Sequence, residues 1–177
     1  MTTIVREAAA LLLIDFQAKL MPAIESGGSV IANARRLLTA ADMFHVPILL
    51  TEQNASGLGP TVPELRHNRA SIVHKMTFDA CRTHGFLETL PDRSALIVAG
   101  CETHVCVLQT VLGLLAADRR VFIVRDALGS RRAESKETAI RRMERNGAEV
   151  VTTEMIVFEW LATAEDTRLR DVLALVK

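Results

Sequence analysis

Residues 94–110 read SALIVAGCETHVCVLQT. The run at 94–99 is short and apolar, which is typical of a strand buried on both faces of a parallel sheet. Gly100 marks a turn, and an apolar helix follows from 106 to 117. A strand, a short turn and a helix form the repeating unit of α/β proteins. This stretch therefore indicates the α/β class.

The same alternation continues on both sides of this stretch. Two amphipathic segments, at 30–44 and 133–146, have the period of helices, and Gly147 is suited to end the second. Five further runs suit buried strands, at 8–14, 46–51, 71–74, 120–124 and 149–152. Strands and helices in this order predict βαβ crossovers and an open α/β sandwich. Since no Pro- or Gly-rich linker divides it, residues 1–177 are expected to form one domain.

Composition narrows the function classes. The chain has 177 residues, and its 21 Lys and Arg balance its 21 Asp and Glu. Zero net charge and 4% aromatic residues disfavour a nucleic-acid partner. The absence of tyrosine excludes a phenol in catalysis, and three cysteines do not resemble a disulfide framework, so we expect a cytoplasmic protein. The apolar run 8–14 is too short to span a membrane or act as an export signal.

Three chemically active residues lie at or just beyond the ends of predicted strands. Asp15 ends the first run, Lys75 follows the third, and Cys106 follows the strand at 94–99. The carboxyl ends of parallel strands meet at one edge of the sheet, where ligands bind. A thiol in the first helical turn is expected to have a lowered pKa, because free N–H groups and the helix dipole favour the thiolate.

Each of these residues alone also has an ordinary structural interpretation. Asp15 could cap a helix, Lys75 could be a solvated surface residue, and Cys106 could be an inert buried thiol. Together they suggest an acyl-transfer site, in which Asp15 accepts the thiol proton and Lys75 holds the charges in register. Helix-start N–H groups would bind the oxyanion.

These residues lie within a longer pattern that resembles the isochorismatase-like cysteine hydrolases, most closely their isochorismatase domain-containing branch. The matching motifs are LIDFQ (13–17), TEQ (51–53), GLGPTVPE (57–64), Lys75, GCETHVCV (100–107) and RDALGSR (125–131). The resemblance implies a three-layer, Rossmann-like sandwich with a six-stranded parallel sheet, and a triad of Asp15, Lys75 and Cys106. It also implies a cis peptide between Cys101 and Glu102, and an oxyanion hole formed by the N–H groups of Glu102 and Cys106.

Departures from the family pattern refine the expected reaction. Isochorismatase itself cleaves a vinyl ether and lacks the cysteine, so Cys106 favours hydrolysis of an amide or ester through a thioester. Nicotinamidases of the family bind a metal through histidines near the second strand, whereas residues 51–60 contain none. We therefore expect neither a metal nor another cofactor.

The expected substrate is a small molecule with an apolar part and an amide-like or carboxyl-like end. By position, the residues expected to line its crevice are Phe16, Gln17, Glu52, Gln53, Phe78 and Thr103. For Glu52 and Gln53, fastening the loop that follows their strand is an equally good interpretation.

Other interpretations of the sequence remain open. The chain could be a non-catalytic small-molecule-binding or scaffold protein, and Cys101 with Cys106 could be a redox pair, although the tight turn disfavours a disulfide there. Cys101, His104 and Cys106 match no zinc pattern, and the first strand is not followed by GxGxxG.

A homo-oligomer, a dimer or larger, is expected because relatives commonly assemble. Two apolar surfaces are candidates for the contact. The helix at 106–117 is apolar nearly all round and is expected to be buried either under the sheet or against another subunit. The segment at 166–177 has one apolar face, which could pack on its own domain or on a neighbour.

Overall fold

The computed structural model describes residues 3–177 and contains one six-stranded sheet, in which every pairing is parallel. The order of the strands across the sheet is β3-β2-β1-β4-β5-β6. Their bounds are β1 Ala9–Ile14, β2 Ile48–Gln53, β3 Ala70–Lys75, β4 Ala95–Cys101, β5 Arg120–Gly129 and β6 Glu149–Val151. The predicted fold class is confirmed.

Helices connect the strands and cover both faces of the sheet. They are α1 Gly27–Met43, α2 Ala55–Leu58, α3 Phe86–Thr89, α4 Leu108–Ala116, α5 Ala133–Arg145, α6 Thr153–Leu161 and α7 Leu169–Val176. Short 3-10 turns occur at Arg6–Ala8, Met21–Ala23, Pro63–Leu65 and Ala80–Arg82. A π-helical turn, Thr103–Val107, leads directly into α4.

The side chains of the strands alternate between two hydrophobic cores, which makes the protein a three-layer sandwich. On β1, Leu11 and Leu13 face the core that includes α1, α6 and α7. Leu12 and Ile14 face the second core, which includes α3, α4 and α5. The central strands are therefore covered on both sides, as their continuous apolar sequences predict.

The prediction that the third strand is buried on both faces is wrong. β3 is an outer strand that pairs only with β2, and Ile72 is 47% exposed. His74 of the same strand is also exposed. The short apolar run 71–74 is compatible with either a central or an edge strand, since strand order is not encoded in the local pattern.

The register of the sheet brings the ends of four strands together. Ile14 at the end of β1 pairs with Thr51 of β2 and with Gly100 of β4, while Gln53 pairs with Lys75 of β3. Asp15, Lys75 and the turn after β4 therefore share the carboxyl edge, as expected. Among residues 3–177, no helix is long and apolar enough to cross a bilayer.

Candidate active site

A fully buried ion pair lies at the centre of the carboxyl edge. Lys75 Nζ is 2.7 Å from Asp15 Oδ2, and the other carboxylate oxygen, Oδ1, accepts a hydrogen bond of 2.6 Å from Thr51 Oγ1. Both charged side chains are inaccessible to solvent. Both oxygens of the carboxylate therefore have a partner, which a buried charge requires.

The backbone after β3 completes the coordination of the ammonium group. Lys75 Nζ also donates to the carbonyls of Thr77 and Phe78, at 3.3 and 3.4 Å. An ammonium group has three protons to donate. Lys75 Nζ thus has three acceptors, the Asp15 carboxylate and the carbonyls of Thr77 and Phe78, and these fix its position.

Cys106 lies in a π-helical turn rather than in the first turn of an α-helix. The Cys101–Glu102 peptide is cis, as the resemblance implies, and the turn Thr103–Val107 follows it. The Glu102 carbonyl accepts hydrogen bonds from the N–H groups of both Val105 and Val107. Sequence periodicity does not distinguish this wider turn from an α-helix over a single turn.

The expectation that the pKa of Cys106 is lowered is wrong. Burial raises the pKa of the Cys106 thiol to about 12. The negative charge of the nearby Asp15 raises the pKa further, whereas the positive charge of Lys75 lowers it. The resting sulfur is therefore a protonated thiol near the Asp15 carboxylate.

Four of the six side chains expected to line the crevice are buried against the protein's own groups. Phe16 belongs to the core against α1, and Thr103 Oγ1 donates to the Gly129 carbonyl at 2.9 Å.

Gln17 Nε2 donates to the carbonyls of Gln53 and Gly59, and Glu52 Oε1 accepts from both N and Oγ1 of Thr61. Gln17 and Glu52 therefore fasten the segment after β2, the alternative considered for Glu52.

The remaining two expected residues lie nearer the surface. Phe78 is 51% exposed, and its carbonyl contacts Lys75. Gln53 is partly exposed, with its amide nitrogen 3.2 Å from the Met76 carbonyl.

Two further residues act in the site but have no role in the sequence prediction. Thr51 binds the carboxylate of Asp15, and Arg131 Nε binds Glu102 Oε1 at 2.8 Å. Both lie within motifs that carry the family resemblance, TEQ and RDALGSR. The strand register, which pairs Thr51 with Ile14, could have revealed the first. Nothing in local periodicity indicates the second.

A cavity of about 310 Å³ lies beside the turn after β4. Its lining is largely basic and consists of His104, Arg131, Arg132 and Ser135. A second cavity of about 410 Å³ between the turn and α5 shares His104 and Ser135 with the first. Both cavities adjoin the turn through His104, and neither is lined by Asp15, Lys75 or Cys106.

The cysteines and acidic side chains offer little evidence for other chemistry. All three cysteines are free, and burial also raises the pKa values of Cys81 and Cys101. Within the described chain, residues 3–177, no group of three or more His, Cys, Asp or Glu side chains is arranged to hold a metal ion.

Comparison with known proteins identifies the family. The model of the isochorismatase domain matches residues 9–155. The chain belongs to the isochorismatase family. This family indicates a hydrolase, and it confirms the resemblance carried by the motifs around Asp15, Lys75 and Cys106.

Similar proteins cover nearly the whole chain. Isochorismatase domain-containing protein 2A of Mus musculus is 34% identical over 98% of this chain and 85% of its own length. The MAR1 ribonuclease of Caenorhabditis elegans is 32% identical, with a TM-score of 0.92 over 99% of this chain and 92% of that chain. The YcaC gene product of Escherichia coli, described as an octameric hydrolase of unknown specificity, is 27% identical, with a TM-score of 0.89 over 99% and 88%.

Proposed function

We propose that the protein is a metal-independent cysteine hydrolase that cleaves an amide or ester bond of a small molecule through a thioester on Cys106. The observation that carries this proposal is the buried Asp15 carboxylate, which is held 2.7 Å from Lys75 and lies near enough to Cys106 to raise the pKa of its thiol. A nucleophile, a base and a group that orients the base form the arrangement on which covalent hydrolysis depends.

Acylation begins from the neutral thiol. As the Cys106 sulfur attacks the carbonyl carbon, its proton moves to Asp15 and the carbonyl electron pair moves onto oxygen. The N–H groups of Glu102 and Cys106 stabilise that oxyanion. When the tetrahedral intermediate collapses, the bond to the leaving group breaks. The amine or alcohol takes the proton from Asp15 and departs, leaving a thioester.

Deacylation repeats the same sequence with water. Asp15 accepts a proton from water as the hydroxide oxygen attacks the thioester carbon, and the oxyanion forms again at the same position. Collapse breaks the carbon–sulfur bond, and Asp15 returns the proton to the sulfur. The products are a carboxylic acid and a free amine or alcohol, and the enzyme regains its thiol.

The Lys75 ammonium stabilises the negative charge that is present in the buried site throughout this cycle. The proton that moves to Asp15 neutralises the carboxylate while negative charge develops on the substrate, and the ammonium stays within the same cluster. A fixed positive charge in a buried site acts strongly on such a transition state because little water screens it. Its three acceptors prevent Lys75 from moving away as the charge shifts.

A small substrate agrees with the space beside the turn. The cavity of about 310 Å³ adjoins the turn through His104 rather than the triad itself, and its basic lining suits a carboxylate or a similar polar end of the substrate. Phe78, half-exposed beside Lys75, offers an apolar contact. The E. coli relative is a hydrolase of unknown specificity and the C. elegans relative is called a ribonuclease, so neither name defines the substrate.

The second candidate function is non-catalytic binding of a small molecule on the same fold. The observation that favours it is the low exposure of Cys106, 7%, together with its raised pKa. A buried, protonated thiol is also what a packing cysteine looks like.

Hydrolysis of a panel of small esters, primary amides and one single-stranded RNA separates the two candidates. We expect turnover of at least one ester or amide by the wild-type protein, loss of that turnover in Cys106→Ala, and retention in Cys81→Ser. Turnover that survives in Cys106→Ala would overturn the mechanism. Binding of panel members without any turnover would favour the non-catalytic function.

We also propose that the protein is a cytoplasmic homo-oligomer. Three free cysteines agree with a reducing compartment. The E. coli relative is octameric, and this chain exposes Ile72, Met76 and Phe78 along and after its edge strand β3. Light scattering that gives the mass of one chain at micromolar concentration would contradict the oligomer, and fractionation of cells tests the location.

A further inference from the structure

Three consecutive side chains of the turn after β4 are bonded to three consecutive residues at the end of β5. Residues 102–104 form this part of the turn, and residues 129–131 form the supporting segment. The contacts are Arg131 Nε to Glu102 Oε1 at 2.8 Å, Thr103 Oγ1 to the Gly129 carbonyl at 2.9 Å, and His104 Nδ1 to Ser130 Oγ at 3.0 Å.

The supporting segment is itself fastened to the rest of the fold. Gly129 pairs with Cys101 in the β4–β5 register, and the Ser130 carbonyl accepts a hydrogen bond from the N–H of Glu25. The Glu25 carboxylate in turn accepts from the N–H of Ala133 at the start of α5. The segment is therefore held from the sheet, from the chain before α1 and from α5.

Packing allows the segment little freedom to shift. A Cβ atom built at Gly129 would lie 2.6 Å from Ile24 Cγ2 and 3.0 Å from Cys101 Sγ. The Thr103 hydroxyl is fully buried, and the Glu102 side chain is 12% exposed even though it is charged. The contact with Arg131 thus fixes the nearly buried carboxylate of Glu102. The backbone N–H of the same residue is proposed to bind the oxyanion.

We propose that Arg131 and Thr103 are positioning residues, which hold the turn so that the N–H groups of Glu102 and Cys106 point to the same substrate oxygen; this rests on the function proposed above. Oxyanion donors act only within about 2.7–3.1 Å of the charged oxygen. A shift of roughly 1 Å in a reacting group can lower a rate about a hundredfold.

The Arg131–Glu102 pair has little importance for stability alone. The Arg131 side chain is 61% exposed, so water can take the place of its guanidinium beside Glu102 when the arginine is removed. Removing the arginine should therefore leave the protein folded and change only the orientation of Glu102. This makes Arg131 the cleaner of the two residues to test.

The test compares two reactions of the same thiol. Acylation by p-nitrophenyl acetate passes through a tetrahedral oxyanion: the sulfur–carbon bond forms, p-nitrophenolate leaves and the thiol proton is lost. Alkylation by iodoacetamide forms a sulfur–carbon bond while iodide leaves and the thiol proton is lost, with no oxyanion. The ratio of the two rates at Cys106 therefore reports the oxyanion hole separately from the reactivity of the thiol. Since the acetyl group is small and neutral, the ratio is insensitive to recognition of a charged substrate by Arg131.

We expect Arg131→Gln and Thr103→Val to lower acylation about tenfold to a hundredfold while alkylation changes less than twofold. Thr103→Ser keeps the hydroxyl and should restore most of the acylation rate. Arg35→Gln is the control, because Arg35 is an exposed arginine of α1 whose side chain has no hydrogen-bond or ion-pair partner within residues 3–177, and it should leave the ratio unchanged.

Three results would overturn the inference. Acylation and alkylation rates that both stay at the wild-type level in Arg131→Gln, a variant expected to fold, would show that the segment does not position the oxyanion donors. An equal fall of both rates would show that it positions the thiol instead. A wild-type protein that is alkylated but never acylated at Cys106 would overturn the proposed function itself, and the inference with it.

Discussion

At the scale of single residues, the environment of Cys106 favours coupled proton transfer over a preformed thiolate. Burial and the Asp15 carboxylate raise the pKa of this thiol to about 12, so very little thiolate exists near neutral pH. The same carboxylate lies near the thiol and is fixed by Lys75 and Thr51. Asp15 thus disfavours the Cys106 thiolate in the resting enzyme and, in the proposed mechanism, accepts the proton that the thiol loses when it attacks.

The two effects of Asp15 can be separated by one substitution. In Asp15→Asn the base is lost, so we expect hydrolysis of an ester or amide to fall about 10²–10⁴-fold. The charge that raises the pKa of Cys106 is also lost, so alkylation of Cys106 by iodoacetamide at mildly alkaline pH should become faster. Peptide mapping of the alkylated protein measures the second effect.

Asp79→Asn is a matched control for that experiment. Asp79 raises the pKa of Cys81, so its removal should accelerate alkylation of Cys81 without affecting Cys106. Slower alkylation of Cys106 in Asp15→Asn would contradict the role assigned to the carboxylate.

Lys75 should also be essential for stability. In Lys75→Met the Asp15 carboxylate remains buried with Thr51 as its side-chain partner, which is expected to cost about 3–5 kcal/mol of unfolding free energy. The double variant Lys75→Met/Asp15→Asn removes the orphaned charge and should recover part of that loss. Urea denaturation measures both, and a loss below about 1 kcal/mol in the single variant would show that the pair is not buried as described.

At the scale of elements, the site depends on the close approach of β1 and β4 at their carboxyl ends. Ile14 pairs with Gly100, and Asp15 and the turn that carries Cys106 follow directly. A Cβ atom at Gly100 would lie 2.6 Å from the Ile14 carbonyl oxygen and 2.7 Å from Ile14 Cβ. The distance between Asp15 and the turn that carries Cys106 therefore depends on residue 100 being a glycine, which has no side chain.

Gly100→Ala should force the two strand ends apart. We expect a loss of about 1–3 kcal/mol in unfolding free energy from overpacking, and a larger fall in kcat than in stability. Gly28→Ala is the control, since a Cβ there meets no atom within 4 Å and alanine favours helix α1. Full activity in Gly100→Ala would contradict the importance of this approach.

The sequence predicts the elements better than the details of the site. The apolar runs predict all six strands, and the positions of Asp15, Lys75 and Cys106 at strand ends follow from chain order alone. The exposure of β3 could not be predicted, because it depends on the order of the strands in the sheet. The π-helical turn could not be predicted either, because it depends on the N–H groups of Val105 and Val107 both donating to the Glu102 carbonyl. The pKa of Cys106 depends on burial that only the folded chain creates, and this is why the expected direction is wrong.

At the scale of the whole molecule, three thiols make stability sensitive to alkaline pH. The pKa values of Cys81, Cys101 and Cys106 are all raised by burial, whereas in the unfolded chain each thiol ionises near its ordinary pKa of about 8.5. The folded state thus keeps protons that the unfolded state releases. This contribution to stability is complete below about pH 8.5 and is lost as the pH rises toward the folded values.

At pH 9–10 we expect the free energy of unfolding to fall by about 1.4 kcal/mol per pH unit for each buried thiol. For Cys101 and Cys106 together the slope is about 3 kcal/mol per pH unit. The sequence contains no tyrosine, so no phenol ionisation obscures the effect. Urea denaturation at several pH values measures the slope. The double variant Cys101→Ala/Cys106→Ala should show a clearly flatter dependence, and the same slope in that variant would contradict the assignment.

The central claim is that Cys106 becomes acylated with Asp15 as its base, and peptide mapping by mass spectrometry tests it most directly. Wild-type protein and Asp15→Asn are mixed with p-nitrophenyl acetate, quenched in acid within the first turnover and digested. The account predicts an acetyl group on Cys106 in the wild-type protein, none on Cys81 or Cys101, and much less on Cys106 in Asp15→Asn. An acetyl group found on another cysteine, or equal labelling of Cys106 in both proteins, would contradict it.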